Sequence, residues 1–252
     1  MDLQEYRREL DQLDGEITRA FAERMAVSAQ VAAYKRAHDM PVLDAEREAA
    51  LLGRVEAALP GELGGYGVAL YADILALSRG RQERAAGRGA ENIVLVGMPG
   101  CGKKTVGALL ARRLGRPFVS SDRLVEALTG RSIPEIFVHW GEDAFRALET
   151  RALALLCARS GSVIATGGGC VTRRENIPLL RLGGRIVWLR RETDALAREG
   201  RPLSLAADLH TMYAAREPLY RGVAALTADN DGTVEETVEQ IINLIKIKEI
   251  DP

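Results

Sequence analysis

A glycine-rich segment between a predicted strand and a predicted helix constrains the fold of this chain more than any other feature. The segment, residues 97–105 (GMPGCGKKT), follows the β-branched run 92–96 and precedes the apolar-periodic run 106–114. Strand, glycine-rich loop and helix, in this order, give the pattern G-x-x-x-x-G-K the context of a phosphate-binding loop. Backbone N–H groups and the helix N-terminus attract anionic oxygens, and Lys103 adds a full positive charge. We therefore predict a phosphate site rather than an ordinary turn.

One position of the loop departs from the usual pattern. The residue after the loop lysine ordinarily offers a Ser or Thr hydroxyl to Mg²⁺, and here it is Lys104. Thr105 comes one position later, which turns its side chain by about 100° on a helix. The sequence therefore predicts nucleotide binding but leaves the metal open. The predicted nucleotide-binding residues of the loop are Gly97, Gly100, Gly102, Lys103, Lys104 and Thr105.

Composition excludes several classes of protein. A net charge of −1 over 252 residues gives no reason to expect nucleic acid or an anionic membrane as a partner. The charged N-terminus lacks the apolar core of a signal peptide, and no apolar run is long enough to span a bilayer. Cys101, Cys157 and Cys170 are odd in number and lack metal-type spacing, so we expect reduced thiols in a cytoplasmic protein.

The first part of the chain has the periodicity of one long helix over residues 3–35. Its apolar residues recur every three or four positions and form a stripe that faces a core or a partner. Arg24 lies on this stripe, where a charge needs a partner or a ligand. Lys35 points within about 20° of Arg24, whereas Arg7 lies about 25 Å away along the axis. Arg7 therefore cannot easily reach the same pocket within one chain.

The remaining pattern predicts two domains. Further helices over 44–59 and 67–84 complete an all-α three-helix module, predicted as residues 1–86, and 87–91 have the small, polar composition of a linker. From residue 92 onward, predicted strands alternate with helices, which indicates an α/β P-loop domain with a parallel sheet over 92–252. Binding sites in such sheets lie at the carboxyl ends of the strands.

The helical module resembles the all-helical chorismate mutases over residues 3–84, through Ala22-Glu-Arg24, Lys35, Pro41-Val-Leu-Asp44 and Glu46-Arg-Glu48. The resemblance implies an intertwined homodimer, in which Arg7 of the partner subunit enters the site. The reaction of that family, chorismate to prephenate, is a pericyclic rearrangement. It needs hydrogen-bond donors around a dicarboxylate rather than a proton relay or a metal. By resemblance, carboxylates are bound by Arg24, Arg47 and the partner's Arg7, the ring hydroxyl by Glu48, the ether oxygen by Lys35 and Gln82, and the ring carboxylate by Ser78, with Asp44 also at the substrate.

The second module resembles shikimate kinase over about 92–246, through residues 141–149, the glycines 167–169, Arg201-Pro-Leu203 and Arg216-Glu-Pro-Leu-Tyr220. The resemblance implies ATP as cofactor and shikimate as substrate. By resemblance, Asp122 takes a shikimate hydroxyl, the substrate is held by Arg146, Gly168, Gly169 and Arg216, Arg201 covers the transferring phosphoryl group from a lid, and Arg198 lies near the adenine.

Three departures from the kinase pattern leave its activity open. Lys104 replaces the metal-binding hydroxyl, Ser120 stands where the family has an aspartate, and the segment between Arg198 and Arg201 is short. A bifunctional enzyme, with the Lys104 ammonium in the place of the metal, is one alternative. The second is a mutase that carries an inactive kinase domain used for ligand binding or regulation. The third is a structural helical dimeriser attached to a working kinase, which requires Arg24 and Lys35 to be idle.

Overall fold

The computed structural model describes residues 2–85, 91–196 and 209–250. The chain forms two compact units, Met1–Gly89 and Ala90–Pro252, which we call the helical unit and the sheet unit. Of the predicted linker 87–91, only Glu91 lies in the described part of the chain, so the exact boundary stays a prediction.

Three helices make up the helical unit: α1 (Leu3–Ala37), α2 (Ala45–Ala58) and α3 (Leu63–Ala85). Asp2 and Glu5 form a capping box at the start of α1, and the Asp44 carboxylate accepts a hydrogen bond from Arg47 N at the start of α2. Helix α3 begins at Leu63, earlier than the predicted start near residue 67. Gly64 is helical here and lies against α2, where an added Cβ would come within 3.1 Å of the Glu56 carbonyl oxygen. A Cβ on Gly67 would come within 2.3 Å of Leu59 Cδ1.

Most of the apolar stripe on α1 is open to solvent in the single chain. Only Ala32 and Leu75 are buried apolar residues among those described in the helical unit. Large apolar side chains of α1 that are exposed include Leu3, Tyr6, Leu10, Leu13, Ile17, Phe21, Val27 and Tyr34. Ile17, for example, is 60% exposed and Leu10 58%. The stripe therefore does not serve as the core of this unit.

The sheet unit is built on five parallel strands. They are β1 (Ile93–Val96), β2 (Phe118–Ser120), β3 (Val163–Ala165), β4 (Arg185–Arg190) and β5 (Leu226–Asp229). Their order is β2-β3-β1-β4-β5, so β1 lies at the centre and pairs Ile93 with both Val163 and Arg185. Every residue of β1 is buried, as a central parallel strand covered on both faces requires. The predicted parallel sheet is confirmed.

Helices connect the strands of this sheet and cover it. They are α4 (Lys103–Leu114), α5 (Ser121–Thr129), α6 (Ile133–Cys157), α7 (Asn176–Gly183), α8 (Leu209–Val223) and α9 (Val234–Ile250). Helix α6 contains a break at Gly141, whose φ of 79° is one that glycine readily adopts. Because α4 follows β1 and α5 follows β2, the first turns of these helices lie at the carboxyl ends of the two strands that flank β3. Among the described residues, none of the helices is both long enough and apolar enough to cross a membrane.

Candidate active sites

The three helices of the helical unit enclose a pocket with a cationic lining. Seven of the eight residues predicted for a mutase site line it: Arg24, Lys35, Asp44, Arg47, Glu48, Ser78 and Gln82. Arg7 is exposed on α1 and is not in the lining. Helix geometry places it about 25 Å from Arg24 along the axis. The fold therefore brings together, within one chain, every predicted residue of this site except the one assigned to a partner subunit.

Hydrogen bonds fix the donors of this pocket. Arg24 Nη1 donates to Ser78 Oγ at 2.5 Å, which joins α1 to α3. Lys35 Nζ donates to the Val42 carbonyl at 2.6 Å, in the connection between α1 and α2. The amide of Gln82 donates to Ser28 Oγ at 3.0 Å, while its buried Oε1 has no partner among the described residues. The predicted need of Arg24 for a partner is met by a neutral hydroxyl, so its charge stays available to an anion.

Arg79 is a pocket residue that the sequence analysis missed. It lines the pocket and forms an ion pair with Glu48, although both side chains are partly exposed. Arg79 precedes Gln82 by three positions on α3, and helix residues three apart share a face. That spacing was the available signal. The pair places a cation against Glu48.

Three glycines of the predicted phosphate loop have positive φ. Gly97, Gly100 and Gly102 have φ values of 146°, 84° and 91°. A Cβ on Gly97 would lie 2.4 Å from the Leu189 carbonyl oxygen, so the loop is also packed tightly against β4. Lys103 is buried and its ammonium donates to the carbonyls of Gly97 and Met98 at 2.7 and 2.8 Å. The loop lysine is thus held at the centre of the loop.

A second segment, distant in sequence, anchors this loop. Asn230 follows β5, and its amide donates to the Cys101 carbonyl at 2.8 Å. Thr237 in α9 donates to Asn230 Oδ1 at 2.9 Å and fixes that amide's orientation. Both residues are buried. The sequence analysis missed them because neither belongs to the loop motif, and a lone Asn after a short strand carries no signal of its own.

The predicted acceptor residues lie around the three consecutive glycines after β3. A Cβ on Gly167 would lie 3.2 Å from Asp122 Oδ1, and one on Gly169 only 2.3 Å from Arg146 Nη1. A Cβ on Gly168 would lie 2.5 Å from Pro99 Cδ, so this segment also touches the phosphate loop. These positions must be glycine for the backbone to approach so closely.

Helix α8 contributes two more contacts to the same glycines. Arg216 Nη1 lies 3.5 Å from the Gly168 carbonyl oxygen, to which it donates, and the Tyr220 hydroxyl donates to that oxygen as well. Tyr220 is fully buried, and burial raises its pKa well above the ordinary range. Its hydroxyl therefore stays protonated and serves as a permanent donor.

Arg146 is held by two carboxylates of its own helix. Its Nη1 donates to Glu149 at 2.9 Å, and its Nε and Nη2 donate to Glu142 at 3.2 and 3.0 Å. Burial lowers the arginine pKa but the two carboxylates outweigh it, so the pKa is raised and the charge is retained. For Glu149, burial raises the pKa and outweighs the attraction of Arg146. Glu149 Oε1 has no partner among the described residues, and its other oxygen fixes the guanidinium.

The comparisons with known proteins cover both units. Residues 99–246 match the family model described as shikimate kinase. The chain belongs to the shikimate kinase family. Residues 6–83 match the model described as chorismate mutase type II, so the chain is a fusion of a mutase domain and a kinase domain. Both resemblances seen in the sequence are confirmed at the level of the family.

Relatives of the kinase domain span nearly its whole length. The shikimate kinase of Symbiobacterium thermophilum is 42% identical over 167 residues, which are 62% of this chain and 96% of that protein. That of Pseudomonas syringae pv. syringae is 44% identical over 149 residues, 56% and 87% of the two chains. A structure of the Acinetobacter baumannii shikimate kinase in complex with shikimate superposes with a TM-score of 0.60 at 38% identity, covering 64% of this chain and 96% of that one.

The residues around the kinase loop do not fit a magnesium ion held by the protein. Lys104 offers an ammonium where a hydroxyl is needed, and Thr105 on the next position is exposed. Ser120 is buried with an Oγ that has no partner in the described part of the chain, and a lone neutral hydroxyl is a weak ligand for Mg²⁺. No cluster of three or more His, Cys, Asp or Glu suited to a metal occurs within residues 2–85, 91–196 and 209–250.

Two predicted kinase residues cannot be placed. Arg198 and Arg201, with the short segment between them, lie outside the described residues, so their roles stay predictions.

Proposed function

We propose that the protein is a bifunctional enzyme, which rearranges chorismate to prephenate in its mutase domain and phosphorylates the 3-hydroxyl of shikimate with ATP in its kinase domain. Support for the first activity comes from seven predicted residues on one cationic pocket. Support for the second comes from the contacts that join Pro99 of the phosphate loop to the glycines beside Asp122 and Arg146.

In the mutase domain the residues suit a reaction driven by positioning and electrostatics. Arg24 and Arg47 hold the carboxylates of chorismate in its compact conformer, with Ser78 at the ring carboxylate and Glu48 at the ring hydroxyl. Lys35 and Gln82 aim donors at the ether oxygen, where negative charge develops as the C–O bond breaks. No proton transfer, nucleophile or metal enters this step. Asp44 also binds the substrate in this proposal, and its carboxylate caps the start of α2.

The mutase site is completed by a second copy of the chain. Arg7 cannot reach the pocket of its own chain, and α1 exposes a long row of large apolar residues. Removal of such a row from water between two copies is favourable by about 25 cal/mol per Å² of apolar area, before the entropic cost of association. We therefore propose a homodimer through the mutase domain, in which Arg7 of the partner subunit binds a carboxylate.

In the kinase domain the phosphate loop and Lys103 bind the ATP phosphates. Asp122 accepts a hydrogen bond from the attacking hydroxyl of shikimate, while Arg146 and Arg216 bind its carboxylate beside Gly168 and Gly169. Phosphoryl transfer needs mainly alignment and neutralisation of charge. Arg201 supplies charge from the lid and Arg198 contacts the adenine in this proposal, which takes these two roles from the family pattern.

Mg²⁺ has no protein ligand in this proposal, because Lys104 and Ser120 replace the two usual ones. The chain thereby departs from its family at the metal and not at the substrate. Sequence identities of 42–44% over the kinase domain favour an active enzyme over an inactive one. Nothing in the comparisons favours the inactive alternative. The three cysteines are buried thiols rather than disulfides, which suits a reducing cytoplasm, where we place the enzyme.

The decisive experiment follows both reactions in one preparation of the full chain. We expect it to consume chorismate and to form ADP only when shikimate is present. Arg47→Ala should abolish the first reaction and spare the second, and Asp122→Asn should do the reverse, so that each variant is the control for the other. Wild-type protein that binds shikimate but forms no ADP would contradict the kinase assignment.

The metal is tested in the same assay. We expect ADP formation by the wild type to persist in part when a chelator replaces Mg²⁺. The double variant Lys104→Ser/Ser120→Asp restores both usual ligand types and should become strictly dependent on Mg²⁺. A wild type that loses all activity in chelator would show that Lys104 does not substitute for the ion.

A further inference from the structure

The kinase domain contains an ion pair that its family pattern does not provide. Lys104 Nζ lies 2.9 Å from Asp122 Oδ2. Lys104 belongs to the first turn of α4 and Asp122 to the first turn of α5, so the pair bridges the nucleotide side and the acceptor side of the site. The two side chains are 52% and 21% exposed, and water therefore screens the pair enough to keep it exchangeable.

One oxygen of Asp122 is engaged in this arrangement. Oδ2 carries the Lys104 ammonium, whereas Oδ1 faces the backbone of Gly167. A carboxylate needs a free lone pair to accept a hydrogen bond from an incoming hydroxyl. An acceptor hydroxyl that approaches Oδ2 must therefore compete with the Lys104 ammonium.

A bound nucleotide offers Lys104 a stronger partner. The phosphates at the loop would lie beside the N-terminus of α4, where Lys104 begins the helix next to Lys103. A lysine is a compact charge on a flexible four-carbon stem, so it can exchange one anion for another without movement of the backbone. Lys103 has no part in this exchange, since its ammonium is engaged by the loop carbonyls.

We propose that Lys104 couples the two substrates of the kinase. Without nucleotide it occupies Asp122 and weakens binding of the acceptor. When nucleotide binds, the ammonium moves to the phosphates and Asp122 becomes free. This inference rests on the proposed kinase function and adds to it a residue that sets the order of binding. Coupling between sites is reciprocal, so the acceptor must also tighten nucleotide binding by the same factor.

The test measures the dissociation constant of shikimate for the full chain by calorimetry, without nucleotide and with saturating ADP at constant ionic strength. In the wild type we expect ADP to tighten shikimate binding about tenfold, within the usual range of coupling between sites. In Lys104→Met, shikimate should bind without ADP about as tightly as it binds the wild type with ADP, and the coupling factor should fall to about one. Lys104→Ser, which lacks the apolar stem, should behave in the same way.

Arg112→Met is the matched control, because Arg112 is an exposed cation on the same helix, about two turns further on. It should keep the wild-type coupling. An equal coupling factor in wild type and Lys104→Met, or weaker shikimate binding by Lys104→Met in both conditions, would overturn the inference. Absence of shikimate binding to every variant in both conditions would instead overturn the proposed kinase function, and the inference with it.

Discussion

The two active sites are both built to bind anions, but they are supported in opposite ways. The mutase pocket consists of long charged side chains on three helices, in a unit with only two buried apolar residues among those described. The kinase site consists of backbone groups, glycines and buried charges over the fully covered strand β1. A site made of long side chains tolerates an open scaffold, whereas a site made of backbone requires a closed core. We therefore expect the mutase domain, and not the kinase domain, to require the proposed second copy.

The largest expected effect is a loss of mutase activity alone. Leu13→Asp combined with Ile17→Asp places charges on the exposed row of α1, which the proposed dimer buries. We expect mutase activity to fall about 10³-fold or more, because both the dimer and the partner's Arg7 are lost. Kinase activity should stay unchanged. Sedimentation and the two activity assays provide the measurement.

Ile247→Asp is the control, because Ile247 is an equally exposed apolar residue of the sheet unit. It should change neither activity nor oligomeric state. A monomeric double variant with full mutase activity would show that one chain suffices.

The next largest effect is a loss of stability in the kinase domain alone. Gly102→Ala forces a side chain onto a residue with φ of 91°, where a Cβ would lie 2.5 Å from Asn230 Nδ2. We expect the sheet unit to lose about 2–3 kcal/mol of unfolding free energy, as strained backbone positions and displaced contacts do. Gly115→Ala separates the two causes, because Gly115 has φ of 64° with open space around it. It should lose only about 1 kcal/mol, the penalty for a left-handed residue. Equal losses in both variants would mean that the Asn230 contact is unimportant.

A third effect is confined to the buried charges of the kinase domain. The pKa of Glu149 is raised above the 4.5 of an exposed glutamate, mainly by burial. Folding therefore favours the protonated carboxyl, and this contribution to stability is fully present below pH 4.5 and is lost as the pH rises through the raised pKa. Relative to Glu149→Gln, which cannot titrate, the wild type should lose unfolding free energy over that interval.

Urea unfolding measures this difference, followed by fluorescence of Trp140 and Trp188, which both belong to the sheet unit. Glu142→Gln is the control, since Glu142 also binds Arg146 but is half exposed. A difference between wild type and Glu149→Gln that is flat, or that grows with pH, would contradict this interpretation of Glu149.

The smallest expected effect is a change in mutase activity. Arg79→Leu removes the cation that pairs with Glu48 but leaves Arg24, Lys35 and Arg47 in place. Partly exposed ion pairs contribute about 0.2–1 kcal/mol, so we expect kcat/KM for chorismate to change by less than about fivefold. Arg54→Leu removes an exposed cation of α2 outside the pocket and should change nothing. A loss of 100-fold in Arg79→Leu would place Arg79 among the main carboxylate ligands.

Sequence analysis predicted the features that depend on short-range spacing. The loop glycines, the strands and the relation of Arg24 to Lys35 all follow from short-range spacing, and the structure brings them together. Sequence analysis missed Asn230, which contacts the loop across more than a hundred residues of chain, and Thr237, which orients Asn230. It also placed the start of α3 too late, because packing of glycines against α2 outweighed their low helix propensity.

It could not foresee the contact between Lys104 and Asp122 either. The sequence shows that Lys104 replaces a hydroxyl, but only the placement of α4 beside α5 shows which anion it meets. Departures from a motif can thus be detected in the sequence, whereas their new partners depend on three-dimensional proximity.

The hydrogen bond from Asn230 to the Cys101 carbonyl also has a consequence for the chain during its synthesis. The two residues are 129 positions apart, so a ribosome has added most of the kinase domain before the loop receives this support. Synthesis proceeds at about 5–20 residues per second, which leaves the loop without its anchor for roughly 6 to 26 seconds. Throughout that interval we expect the growing chain to bind nucleotide poorly. Completion of β5 and α9 would then turn on ATP binding only once the acceptor residues Asp122, Arg146 and Arg216 have already been made.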